Sequence, residues 1–335
     1  MNQMNRRKFI VTSAIAGAGL GIYGSVLAAD NFLAEGKRIG IIGLDTSHSI
    51  AFTKVLNDDH ADKSYRGYKV VAAYPYGSKT IKSSADRIPG YTEEIQKYGV
   101  KISDSIEDLL KDVDVVLLET NDGRLHLEQA LQVLRTGKRM FIDKPVAASL
   151  EDAIAIFKAS GQYGVPVFSA SSLRYIKGVS ELDKTTVVGA DTFSPATIES
   201  THPDLFWYGV HGVETLFTVM GTGCESVQRM HTEDTDVVVG FWKDGRIGTF
   251  RGTRSGKSGY GGTVYTTEGP KALGPYAGYE PLLIEIVNYF DTGKVPVTPE
   301  ETLEIFAFMA AADESKKQGG QKVRLDEVMN KAGKK

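Results

Sequence analysis

Arg38-Ile39-Gly40-Ile41-Ile42-Gly43-Leu44-Asp45-Thr46-Ser47-His48 decides the fold. Its first half is a continuous apolar run, which reads as a strand buried on both faces. Its second half is a glycine turn, and a helix is expected from Ser49 to Leu56. Strand and helix then keep alternating. Strands are expected at 68–74, 114–118, 139–143 and 165–169. Helices are expected at 92–98, 105–112, 124–135 and 149–160, with a polar loop over 75–90. This alternation predicts a doubly wound parallel sheet, whose ligands sit at the carboxyl ends of its strands.

Beyond about residue 170 strand-like runs follow one another directly, at 197–200, 226–231, 236–242, 247–252 and 263–267. Asp244-Gly245 is a hairpin signal between two of them. One helix interrupts at 210–220, and two close the chain at 280–290 and 300–316. The last opens with Thr298 as N-cap, Pro299 at the first position and Glu301 as the capping-box acid. The fold class is therefore α/β: a Rossmann-like unit over 37–165, then an α+β unit over 166–330 with an open, mainly antiparallel sheet.

Residues 1–29 are set apart from the fold. Arg6-Arg7-Lys8 precedes a run without charge from Phe9 to Ala29, ending in Val26-Leu27-Ala28-Ala29. Asn5 to Ile10 reads as a twin-arginine export signal, which predicts an exported, periplasmic protein carried by the twin-arginine translocase. Glycines at 17, 19, 21 and 24 weigh against a stable membrane anchor. Gly19-Leu20-Gly21-Ile22-Tyr23-Gly24 matches G-x-G-x-x-G, but inside the signal it carries no weight.

The 335 residues hold 39 basic and 42 acidic side chains, a net charge of −3. Without Arg6, Arg7 and Lys8 the balance is 36 against 42, or −6. No basic surplus points to nucleic acid. The one cysteine, Cys224, excludes an internal disulfide framework and a cysteine-based zinc site.

The chemistry sits at the strand ends. Of the three glycines of a dinucleotide loop only Gly43 is present; Asp45 and His48 hold the other two positions. Asp45 or Ser47 could be a helix N-cap. The helix start still favours an anion, so Gly43, Asp45, Thr46, Ser47 and His48 are cofactor candidates. After the second strand no acid stands ready for a ribose. Asp143-Lys144-Pro145 ends another buried strand, and Lys144 there can serve as general acid and base on a hydroxyl or keto group. Glu199, His202, Asp204, His211 and Glu214 fall within 16 residues, and His211 and Glu214 share a helix face. His202, His211 and Glu214 could bind a divalent metal or move a proton; the spacing does not require a metal. Trp207 suits a sugar face.

Together these residues resemble the glucose–fructose oxidoreductase / inositol dehydrogenase / rhizopine-catabolism (Gfo/Idh/MocA) family over about 38–327. The resemblance rests on Ile39 to Gly43, Thr120-Asn121 with His126, Gly137-Lys138 leading to Asp143-Lys144-Pro145, Arg174-Tyr175, Gly209-Val210-His211, and Pro296 to Leu325. It implies NAD or NADP bound with help from Thr120, Asn121, Asp143 and Lys144. It implies a sugar or cyclitol substrate, catalysis by Lys144 and His211, and a homo-oligomer; Arg174, His202, Trp207 and Glu214 are further candidates for substrate contact. Two of the phosphate-loop glycines and the ribose acid are missing, and Trp207 stands where the family often has an Asp. A non-redox lyase, hydratase or epimerase using Lys144 and His211, with or without a metal, is the second reading.

Overall fold

A computed structural model describes residues 37–334. The expected signal over 1–29 lies outside the described residues. The first sheet has six parallel strands, β1 (Arg38–Ile42), β2 (Lys69–Tyr74), β3 (Lys101–Ile102), β4 (Val115–Leu118), β5 (Met140–Ile142) and β6 (Val167–Ser169), in the order 3-2-1-4-5-6. The order reverses between β1 and β4, which opens a crevice beyond their carboxyl ends. Helices α1 (Ser47–Leu56), α2 (Ile88–Gln96), α3 (Ile106–Asp112), α4 (Gly123–Leu134) and α5 (Leu150–Tyr163) cover the two faces. Close packing is built in: a Cβ on Gly40 would meet Leu109 of α3 at 2.8 Å. Ser105 and Ser149 cap α3 and α5 through the N–H of Asp108 and Asp152. The stretch expected as a loop over 75–90 contains a helical turn at 82–85 and the start of α2.

The second sheet has seven strands, β7 (Val187–Pro195), β8 (Cys224–His231), β9 (Thr235–Trp242), β10 (Ile247–Thr253), β11 (Gly261–Thr266), β12 (Gly269–Leu273) and β13 (Val323–Arg324). Their order is 12-11-7-10-9-8-13. Only β7 and β10 pair in parallel, through Ile247↔Gly189; the other pairings are antiparallel. Gly245, at φ +87°, turns β9 into β10. The strand expected at 197–200 does not form; the strand lies earlier, at β7. One face of this sheet is covered by α6 (Gly209–Met220) and α8 (Pro299–Lys317). A Cβ on Gly212 would strike the Phe250 ring at 2.4 Å, so glycine sets the approach of α6 to β10. Thr298 caps α8 by accepting from the Glu301 N–H at 3.2 Å, with Pro299 at its start.

The unit expected over 166–330 is not self-contained. Helix α7 (Glu280–Thr292) returns to the first sheet and buries Leu282, Leu283, Ile286, Val287, Tyr289 and Phe290 among Ile39, Ile41, Val115 and Phe141. Arg139 donates to the Phe290 carbonyl at 2.6 Å, and Tyr289 accepts from the Met140 N–H at 3.2 Å. This return carries Tyr276 and Tyr279 to the mouth of the crevice. A final helix, α9 (Leu325–Gly333), follows β13. No described helix is long and apolar enough to cross a membrane.

Candidate active site

The crevice at the β1/β4 switch is lined from both halves of the chain. Thr46, Ser47 and His48 come from the start of α1, Arg87 and Asn121 from two loops of the first sheet, and Lys144 from beyond β5. Trp207, Tyr208, His211 and the tyrosines at 260, 276 and 279 close it from the other side. Lys144 and His211, the two expected catalytic residues, therefore face one cavity.

The anion end is formed by α1. Thr46 is its N-cap but makes no side-chain cap bond, which leaves the first-turn N–H groups available to a ligand. Asp45 is not a cap. Its carboxylate accepts from the Ser78 N–H at 3.0 Å and the Asn121 N–H at 2.9 Å, so it ties together the loops after β1, β2 and β4. Burial raises its pKa, and the two N–H bonds oppose that. Asp45 does not line the crevice, so its charge is turned away from a pyrophosphate at the helix start. Arg87 does line it, and donates to the Asp45 carbonyl at 3.3 Å. The residues present thus fit a dinucleotide phosphate: free helix N–H groups, the Thr46 and Ser47 hydroxyls, and a guanidinium. Thr120 and Asn121 are buried beside this loop, and Asn121 donates to Ser84 Oγ at 3.1 Å. His126 holds the floor, with its ring nitrogens 2.5 Å from the Thr120 carbonyl and 3.2 Å from that of Val146.

His211 is held by Ser171, whose Oγ lies 2.7 Å from Nδ1. Ser171 Oγ already accepts from the Leu173 N–H at 3.1 Å, so its own proton is free for Nδ1. With Ser171 donating to Nδ1, the proton of the neutral ring sits on Nε2. Burial first, then the Lys144 charge, keep His211 well below the ordinary histidine value. Its neutral ring is a hydrogen-bond donor at neutral pH.

His48 lies deeper. Its Nδ1 is 3.1 Å from Asp143 Oδ1 and 3.6 Å from Glu119 Oε2. Burial opposes its charge, but Asp143 and Glu119 outweigh burial and raise it to about 10. Burial, with the Asp143 charge added, lifts the Glu119 carboxyl to about 7. At Asp143 the charges of His48 and Lys144 outweigh burial and hold its carboxyl low.

The structure places the other expected residues as follows. Arg174 does not line the crevice. Its Nε donates to Glu214 Oε1 at 2.9 Å and its Nη2 to Glu301 Oε1 at 2.6 Å. Glu214 is buried and also accepts from the Ser171 N–H at 2.8 Å. It therefore positions the His211 support rather than meeting ligand. His202 is buried against Trp207, with ring centroids 4.9 Å apart and Nε2 3.7 Å from Asp122. His202, His211 and Glu214 do not converge as a metal set. Among the described residues the histidine-and-acid group whose ligand atoms converge is His48, Glu119 and Asp143. Glu119 is missing from the sequence-based set, although a carboxylate directly after a buried strand's last apolar residue is a readable signal. Ser171, Arg87 and the three tyrosines carry no local signal.

Residues 37–171 match the Gfo/Idh/MocA family, described as an oxidoreductase family with an NAD-binding Rossmann fold. Over this stretch, about two fifths of its length, the chain is similar to that family. Among curated proteins it is similar to a 1,5-anhydro-D-fructose reductase of Ensifer adhaerens, 35% identical over 96 residues and covering 28% of each chain. It is also similar to inositol 2-dehydrogenase 3 of Saccharopolyspora erythraea, 27% identical over 158 residues, 45% of this chain and 41% of that one. The matches thus span less than half of these relatives. The whole fold is shared with a probable dehydrogenase from Thermotoga maritima (TM-score 0.70, 20% identity, 87% of this chain and 99% of that one). It is shared too with a myo-inositol dehydrogenase from Lactobacillus casei solved with NAD(H) and myo-inositol (TM-score 0.67, 17% identity, 86% and 96%).

Proposed function

We propose that this protein is an NAD(P)-dependent oxidoreductase of the Gfo/Idh/MocA family acting on a sugar or sugar-derived alcohol, exported through its twin-arginine signal. The observation that carries the reading is that Lys144 and His211, from different halves of the chain, line one crevice with the open start of α1. Thr46, Ser47, Arg87 and the α1 N–H groups would hold the pyrophosphate, and the bound nicotinamide supplies the hydride acceptor or donor. Lys144 moves the proton of the reacting hydroxyl, a contribution of roughly 10²–10⁴-fold for a positioned acid or base. His211 donates through Nε2 to a substrate oxygen, its tautomer fixed by Ser171. Trp207 and the tyrosines flank the sugar ring and exclude water.

The test is mass spectrometry of small molecules released from the denatured exported protein, with nucleotide titration of the folded one. Bound or titratable NAD(H) or NADP(H), and turnover of a sugar or cyclitol lost in Lys144→Ala while nucleotide binding persists, are expected. Folded protein that binds neither nucleotide overturns the redox reading in favour of non-redox sugar chemistry. The mass of the exported chain tests the signal, with cleavage after Ala29 expected.

A further inference from the structure

Beneath Lys144, at the floor of the crevice, three side chains converge from neighbouring strand ends. His48 comes from the first turn of α1, Glu119 directly follows β4, and Asp143 directly follows β5. All three are more than nine-tenths buried. Yet His48 Nδ1, both oxygens of Glu119 and both oxygens of Asp143 lack a hydrogen-bond partner. Five orphaned polar atoms in one cluster run against the near-complete pairing of buried polar groups in folded proteins. Nδ1 and Asp143 Oδ1 lie within ion-pair distance at 3.1 Å, but their angles fall short of a hydrogen bond.

We propose that His48, Glu119 and Asp143 form a binding site for a divalent transition-metal ion, of the Mn²⁺ or Zn²⁺ class. The spacing fits. Bonds of about 2.0–2.2 Å from a metal to imidazole nitrogen and carboxylate oxygen set neighbouring ligand atoms about 3.0 Å apart in an octahedron and about 3.4 Å in a tetrahedron. The observed separations are 3.1 and 3.6 Å, and one ligand atom from each residue lies within 4.8 Å of the others. The charge fits once His48 gives up its proton to the incoming ion, since a 2+ ion then balances the two carboxylates. The ligand types fit as well: carboxylate oxygen suits Mn²⁺, imidazole suits Zn²⁺, and no thiolate is present to draw a softer ion. Three protein ligands leave positions open. His48 lines the crevice, so these positions face the space where an oxygen-rich ligand would sit. The site also explains a substitution in the loop. A dinucleotide loop has its third glycine where this chain has His48, and glycine offers a metal nothing. The site is distinct from the His202, His211 and Glu214 set, whose members do not converge.

The measurement is made on the full exported protein without nucleotide, so its outcome is independent of the redox reading. Metal content is determined on the protein as isolated. After EDTA treatment and removal of the chelator, Mn²⁺ is titrated by electron paramagnetic resonance and Zn²⁺ by calorimetry. One equivalent bound per chain is expected, with a rise in melting temperature on loading. Glu119→Gln, which keeps size and shape, should weaken binding by roughly 100-fold and abolish the metal-induced rise. His48→Ala should do the same. Circular dichroism of each variant establishes that it is folded. Folded wild-type protein that holds no metal and takes up neither ion at millimolar concentration overturns the proposal. So does a folded Glu119→Gln variant that binds either ion as tightly as wild type.

Discussion

Arg174 has its guanidinium between Glu214 and Glu301, with 9% of its side chain exposed. A buried pair is poor evidence of net stabilisation, but removing one partner strands the other charge. Arg174→Met leaves Glu214 buried beside the Ser171 N–H with no cation. That change should cost about 3–5 kcal/mol in urea denaturation, with KM for substrate nearly unchanged in the folded fraction. A large rise in KM at undiminished stability would restore Arg174 to the substrate. His202 offers a test in pH. Burial above all, aided by the charges of Arg124 and His126 and opposed by Asp122, holds it at about 4. The unfolded chain takes up this proton near pH 6.5 and the folded one only near pH 4. The His202 contribution to stability is therefore intact above pH 6.5 and is lost progressively as pH falls from 6.5 to 4. Melting temperatures should fall over that window in wild type, and less steeply in His202→Phe. Parallel slopes would mean that another group carries the loss.

At the scale of elements, the loops after β1, β2 and β4 meet on a single carboxylate. Asp45→Ala would leave the N–H groups of Ser78 and Asn121 buried without acceptors, at about 1–3 kcal/mol each. Asp45→Asn retains one acceptor oxygen and should cost about half as much. Gly77→Ala should be as damaging as Asp45→Ala, because its Cβ would lie 2.1 Å from Asp45 Oδ2. Thermal melts of the three variants test the order; an Asp45→Ala protein as stable as wild type would remove the tie from the account. The same loops mark where sequence reading succeeds and stops. β1, β4 and β5 are continuous apolar runs, so the parallel sheet and the place of its crevice are legible from patterning. Lys144 and His211 are legible as well, because each stands next to a strand end or helix start. β7 is not. Gly189, Asp191 and Pro195 argue against a strand, and only its pairing with β10 and β11 makes it one. Asp45 reads locally as a cap, since its real partners are 33 and 76 residues away. His48 is visible in the sequence as a departure from the glycine loop, but its convergence with Glu119 and Asp143 requires the sheet order.

For the whole molecule, the two sheets differ in what they leave uncovered. Among the described residues the first is packed on both faces, the second only on the side of α6 and α8. Its open face presents Val188, Phe193, Ile247 and Tyr265, each 43–50% exposed. Val188 adjoins Gly189, the register partner of Ile247, so two aliphatic side chains come together on neighbouring strands. Asp191, Thr249 and Thr263 separate these residues from Phe193, but exposed apolar side chains on an uncovered sheet face are still a common mark of an interface. An isologous pairing of this face with a second copy would bury it by two-fold symmetry, with each patch meeting itself. Sedimentation at tens of micromolar should therefore give a dimer or a multiple of it. Ile247→Glu would then bury a charge in the pairing and, by symmetry, in its mate, shifting the equilibrium to monomer. The exposed position of Ile247 predicts little change in the monomer's melting temperature. Wild-type protein that sediments as a monomer at this concentration would assign the face to another partner. An Ile247→Glu variant that stays dimeric would move the interface off this sheet.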